Sequence, residues 1–173
     1  DADKGLVITS RQSPTEVPNY YLRNLKDGSI KPLTQFADPQ PALRKVSKQK
    51  ITYKRQDGVD LTATVYLPEG YTASRDGRLP IIMWAYPREF KSASDAAQVR
   101  GSQYTFTRTN YGSPVYYVTQ GYAVMEEKEF PIVGEGDKQP NDNFVEQLIW
   151  NAQAALKAAH ELGWGDTSRA AVG

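Results

Sequence analysis

Three serines of this 173-residue chain directly follow a glycine: Ser29, Ser102 and Ser113. A serine becomes a nucleophile in an α/β-hydrolase at the centre of G-x-S-x-G, a strained turn from strand to helix. None of the three has that spacing, and the motif occurs nowhere in the sequence. Ordinary loop serines are the expectation. His160, the only histidine, would have to stand beside a nucleophile to act as its base. It falls instead in the last turn of an expected helix, where a cation complements the helix dipole. The run "GEGD", 134–137, starts like a dinucleotide fingerprint, but the sixth position is Gln139 and no strand leads directly into it. Glu126, Glu127, Glu129, Glu135, Asp137 and Asp142 form an acidic set without EF-hand spacing, which reads as a solvated loop. Cysteine is absent, so disulfides, thiolate catalysis and cysteine-based zinc sites are excluded.

Tyr86 is more informative. It follows the apolar run "IIMWA" and precedes Pro87 and a long polar loop. Sites in open α/β sheets lie at the C-terminal ends of parallel strands. A phenol there can donate to a developing oxyanion. The alternative is a core tyrosine with a satisfied hydroxyl.

The elements that would position these residues follow from periodicity. Residues 5–10 and 19–25 are β-prone, and Asp27-Gly28 leads into "SIKPLTQF". A D-G pair between apolar runs predicts a hairpin with a type I′ turn. Residues 37–46, "ADPQPALRKV", read as a linker. A second hairpin is expected around Asp57-Gly58, with Leu61, Ala63, Val65 and Leu67 alternating with polar residues. "IIMWAY", 81–86, and "YAVMEE", 122–127, read as strands buried on both faces. Residues 88–112 and 128–142 read as loops, and "PVYYVTQ", 114–120, as a short helix ending at Gly121. Val145, Leu148, Ile149, Ala152, Leu156 and Ala159 form one apolar helical stripe. Asn143 and Glu146 have capping-box spacing, and Gly163 is a C-terminal stop. Ala170 to Gly173 reads as the start of a further buried strand. This order implies an α/β layer architecture.

Composition narrows the partners. There are 21 basic and 20 acidic residues, for a net charge of +1, which gives no electrostatic footprint for nucleic acid. No apolar run reaches the length of a membrane span. The opening "DADKGLVITS" has neither the basic nor the apolar region of a signal peptide. Eleven Tyr, five Phe and three Trp supply core material for a folded domain.

Several stretches together resemble the prolyl oligopeptidase family of serine peptidases, and within it the glutamyl endopeptidase branch. They are "MWAYPREFKSASDAAQVRGS" (83–102), "PIVGEGDKQPNDNFVEQL" (131–148) and "DTSRAAVG" (166–173). The similarity is dense over about residues 80–173 and weaker over 47–70, while residues 1–36 share only the style of a last propeller blade. The resemblance implies residues 1–36 as the last β-propeller strands, 37–46 as a linker, and 47–173 as the N-terminal part of an α/β-hydrolase domain. It implies a peptide substrate and no cofactor or metal. Tyr86 matches the family's tyrosine donor to the oxyanion hole. Nucleophile, acid and histidine would all follow Gly173, with "DTSRAAVG" leading into the nucleophile turn, so the 173 residues alone are expected to be inactive. Arg88, Lys91 and Arg100 are the candidate cations for a glutamate side chain, with solvated loop charges as the alternative. Other activities of the same family, or a non-catalytic scaffold module, are the competing readings. Sheet edges left without neighbours would favour self-association.

Overall fold

The computed structural model describes residues 3–126 and 130–173, which fall into two compact units. The first comprises residues up to Arg44 together with 102–108. Here β1 (Leu6–Arg11), β2 (Asn19–Asn24) and β3 (Ile30–Pro32) form an antiparallel meander, with Ile8 opposite Leu22 and Leu22 opposite Lys31. The hairpin expected at Asp27-Gly28 forms, but not through a type I′ turn. That turn needs positive φ at both central residues, and only glycines have positive φ among the described residues. A four-residue loop closes instead, with the Asn24 N–H donating to the Ser29 carbonyl and the Gly28 N–H to the Asn24 carbonyl. Residues 37–46, expected as a linker, contain a 3₁₀ turn at Pro41–Leu43. Arg44 pairs with Asp38 at 2.7 Å, lies 3.6 Å from the Phe106 ring centroid, and donates to the Thr107 carbonyl. These contacts draw 102–108 into the first unit, whose boundary falls between Arg44 and Lys45.

The second unit holds the larger sheet. Its first hairpin, β4 (Ser47–Lys54) and β5 (Asp60–Leu67), pairs Ile51 with Ala63 and Tyr53 with Leu61. Leu61, Ala63 and Val65 are buried, as the period-two pattern requires. Its turn also departs from type I′. The Gly58 N–H donates to the Arg55 carbonyl, the Arg55 N–H donates to the Val59 carbonyl, and only Gly58 has positive φ, at 90°. This is a type I turn followed by a glycine bulge.

A single helical turn, α1 (Ala73–Asp76), leads into β6 (Leu79–Trp84), the first parallel strand. The structure then adds two elements where loops were expected: β7 (Pro87–Phe90), and, after the single turn α2 (Ala93–Ala96) and β8 (Ala123–Glu126), the strand β9 (Phe130–Val133). β7 and β9 pair in parallel as a small sheet of their own. Each is four residues long and carries a proline, Pro87 at the first position of β7 and Pro131 inside β9. Proline is tolerated at strand starts and in edge strands, so it did not end the chain's extended path here. "PVYYVTQ" is a 3₁₀ segment, Pro114–Gln120, with Gly121 in the left-handed conformation at its end.

The long helix is α3 (Phe144–Glu161), followed by Gly163 at φ 87°. Its buried face differs from the apolar stripe. Val145 is 63% exposed and Ile149 is 50% exposed, while Gln147, Asn151, Ala154, Ala155, Ala158 and Ala159 are buried. Leu148, Ala152 and Leu156 do pack on the core. The helix is thus rotated so that two amides face inward. Its N-terminal box also forms earlier than expected, where Asp142 accepts from the Gln139 N–H at 2.9 Å.

β10 (Gly165–Val172) completes a mixed five-stranded sheet in the order β10-β6-β8-β5-β4. β6 runs parallel to both β8 and β10, and β5 is antiparallel to β8. Ala155, Ala159, Ile81, Met83, Met125 and Trp164 form the core between helix and sheet. Gly165 is required by this approach, since a Cβ there would lie 2.7 Å from the Ala159 Cβ. Ala170–Gly173, expected as a buried strand, is exposed: residues 170–172 end β10 at the sheet edge and Gly173 follows it. The architecture is α/β. No helix among the described residues is long and apolar enough to cross a membrane.

Candidate active site

Tyr86 stands two residues past the end of β6. The backbone before it is anchored sideways: the Ala85 N–H donates to the Gly173 carbonyl at 3.1 Å, and the Gly173 N–H donates to the Met83 carbonyl at 2.9 Å. The C-terminal ends of two parallel strands therefore lie side by side at this point. The Tyr86 carbonyl accepts from the Phe130 N–H at 2.7 Å, so the first residue of β9 fixes the residue that precedes β7. The side chain itself is 77% exposed. Within these 173 residues Tyr86 is not a core tyrosine. A phenol held on an anchored backbone at the C-terminal edge of a parallel sheet can donate to an oxyanion brought to that edge.

The candidate cations separate into two groups. The Arg88 and Arg100 guanidinium carbons lie 5.4 and 5.9 Å from the centroid of the Phe90 ring, within the range of a cation–π contact. Phe90 is buried, so one fixed ring gathers two cations from separate segments. Lys50 donates to the Arg100 and Gly101 carbonyls, tying the end of that loop to β4. Lys91 follows β7, is exposed, and takes no part in the Phe90 contact. Two guanidinium groups thus meet on the ring that ends β7.

The remaining candidates resolve into ordinary roles. His160 is exposed at the end of α3, and its carbonyl accepts from Arg78. The Ser102 and Ser113 hydroxyls accept from the nearby N–H groups of Tyr104 and Val115, and Ser29 gives its N–H to Asp27. "GEGD" forms a tight turn in which the Lys138 N–H donates to the Glu135 carbonyl. Of the acidic set, Glu127 and Glu129 lie outside the described residues. Glu126 faces Tyr66 at 3.4 Å, and burial, reinforced by that carboxylate, pushes the Tyr66 phenol up. Among the described residues no group of three His, Asp or Glu side chains could hold a metal ion.

Sequence reasoning missed a buried polar cluster behind β9. Arg55, 2% exposed, uses every N–H it has. Nε and one Nη hold Asp57 in a two-point pair at 2.8 Å each, and that second Nη also donates to Gln147 Oε1 at 2.8 Å. The other Nη donates to the Pro131 carbonyl at 2.7 Å and to Asn151 Oδ1 at 3.0 Å. Gln147 in turn pairs with both backbone groups of Val133, at 2.8 and 2.9 Å, as a neighbouring strand would. Asn151 donates to the Pro131 carbonyl at 3.0 Å. For Asp57, burial works to raise the carboxyl, but the Arg55 hydrogen bonds and charge outweigh it and hold it below the ordinary value. A cleft of about 320 Å³ lined in part by Asp57, Glu135, Lys138 and Gln147 opens beside this cluster. The signal available in the sequence was Gln147 and Asn151 at i, i+4 in the middle of an otherwise apolar helix face.

Two curated proteins match nearly the whole chain. The "Probable glutamyl endopeptidase, chloroplastic" of Arabidopsis thaliana is 42% identical over 96% of the chain, and its namesake in Oryza sativa subsp. japonica is 42% identical over 99%. This similarity agrees with the resemblance to the prolyl oligopeptidase family carried by residues 83–102, 131–148 and 166–173. Among solved structures, a prolyl endopeptidase shares the fold of these residues, superposing with a TM-score of 0.58 over 98% of the chain and 23% of its own, at 15% identity. No family model matches the chain. The chain spans 17% and 18% of the lengths of the two curated relatives.

Proposed function

We propose that the protein to which these residues correspond is a serine endopeptidase that cleaves peptide bonds after glutamate through an acyl-enzyme. A serine oxygen attacks the scissile carbonyl carbon as a histidine base takes its proton, the carbonyl oxygen becomes an oxyanion, and the Tyr86 hydroxyl donates to that oxygen. Collapse of the tetrahedral intermediate breaks the C–N bond, the base returns the proton to the leaving amine, and the acyl-enzyme is left for water to hydrolyse. Residues 47–173 form the N-terminal part of the α/β-hydrolase domain in this reading, and residues 1–36 the last strands of a β-propeller. The observation that carries it is the exposed Tyr86 phenol at the end of β6, beside the end of β10, in a chain 42% identical to proteins named as glutamyl endopeptidases. In an α/β-hydrolase one oxyanion donor comes from the loop after the third strand of the sheet, and β6 is the third strand of the larger sheet in chain order. The preference for glutamate is supported by Arg88 and Arg100 on the Phe90 ring, with Lys91 a weaker candidate because it stands outside that contact.

The 173 residues contain no G-x-S-x-G and carry no covalent pathway by themselves in this proposal. A fluorophosphonate probe should label the full-length protein and leave the isolated 173-residue chain unlabelled. Stoichiometric labelling of the isolated chain would overturn the assignment of the nucleophile. The isolated chain presents β10 and β4 as sheet edges and should self-associate. A monodisperse monomer in sedimentation would contradict that expectation.

A further inference from the structure

We infer that Arg55, acting with Gln147 and Asn151, is a positioning residue for Tyr86. The inference rests on the reading of Tyr86 as the oxyanion donor. The mechanical chain is short and continuous. Arg55 and Asn151 both donate to the Pro131 carbonyl, and Gln147 brackets Val133 from the helix side. These contacts hold one edge of β9. The opposite edge of β9 gives the Phe130 N–H to the Tyr86 carbonyl and pairs with β7 through to the Gly134 N–H on the Phe90 carbonyl.

β9 needs such support for physical reasons. It has four residues, Pro131 has no N–H to offer on the edge away from β7, and its strand partner among the described residues is the equally short β7. A pair of strands this small is not stable by itself. Arg55 and Asn151 supply hydrogen bonds on the edge that no strand covers. Arg55 is itself fixed, because each N–H has a partner and Trp150 covers it, with the ring centroid 5.9 Å from its guanidinium carbon. A buried group with no spare donor has nothing to offer a ligand but can set a register. The register it sets is that of the strand pair carrying Tyr86, Arg88 and Phe90.

The experiment uses full-length enzyme with Arg55→Met, and separately Gln147→Met, which keeps the Arg55–Asp57 pair and is the milder change. Two readouts are taken. Amide exchange of the segment 130–134 should accelerate in both variants by at least about tenfold more than that of β8. Unchanged exchange in 130–134 relative to β8 overturns the inference whatever the activity. The second readout is kcat with a glutamyl substrate, in the parent and in a Tyr86→Phe background. Either Met variant should lower kcat by about tenfold or more in the parent, with KM little changed, since small misplacement of a catalytic group is costly. In the Tyr86→Phe background the loss should shrink below about threefold, because the two sites act as one unit. Equal losses in both backgrounds mean that Arg55 does not work through Tyr86, and the inference fails. Wild-type kcat in Tyr86→Phe alone would sink the reading of Tyr86, while the exchange result still decides whether Arg55 holds β9.

Discussion

The two sides of β9 present opposite kinds of polar chemistry. Behind it, Arg55, Gln147 and Asn151 are buried and every donor of the guanidinium is taken. In front of it, Tyr86 is exposed and its hydroxyl has no partner among the described residues. A saturated buried cluster has no capacity left for a substrate, and its effect is on geometry. An exposed phenol on an anchored backbone has capacity left over, and its backbone supplies the geometry. The difference teaches where to look for chemistry in this fold: at groups whose main chain is fixed and whose side chain is not.

That contrast can be broken from either side. The largest effect on stability is expected behind β9. Arg55→Met takes a buried donor from the Asp57 carboxylate, the Gln147 and Asn151 amide oxygens and the Pro131 carbonyl, and should cost about 3–5 kcal/mol in denaturant unfolding. In front of β9, Tyr86→Phe should change stability by less than about 0.5 kcal/mol, as for other exposed positions. A comparable loss from both would erase the distinction. Next comes specificity. Arg88→Ala and Arg100→Ala should each lower kcat/KM for cleavage after Glu relative to Gln by roughly twofold to fivefold, the range of a partly exposed ion pair. Equal losses on the two substrates would remove these residues from the specificity pocket. The smallest effect is acidic. The Asp57 carboxyl is held below its ordinary value of 3.8 in the folded protein. Its contribution is therefore present above that pH and is lost as pH falls through the folded value. Asp57→Asn should flatten the stability curve below about pH 4 and leave its neutral-to-alkaline arm unchanged in slope.

Much of the larger sheet was legible in the sequence because its residues obey simple periods. The alternation in β5 and the continuous apolar runs of β6 and β8 point to the strands that the structure contains. The helix boundaries were readable from Gly163 and the cap region, but the helix face was not. Apolar periodicity favoured Val145 and Ile149, whereas α3 turns Gln147 and Asn151 inward. The reason is a partner far away in sequence: Arg55 must be satisfied, and no local pattern announces a pairing across 92 and 96 residues. β7 and β9 were hidden for a related reason. Their prolines read as breakers, and their pairing depends on support from outside the strands. At the candidate site, Tyr86 was readable from its place at a strand end. Its exposure, and the sharing of Phe90 by Arg88 and Arg100, needed the tertiary structure.

The central claim is that the Tyr86 hydroxyl stabilises the oxyanion formed during acylation. Its most direct test is the single-turnover acylation rate of full-length Tyr86→Phe on a peptide substrate with glutamate before the scissile bond. The account predicts a fall of about 10²–10³ in that rate, with substrate binding within about twofold of the parent. An acylation rate equal to that of the parent would contradict it.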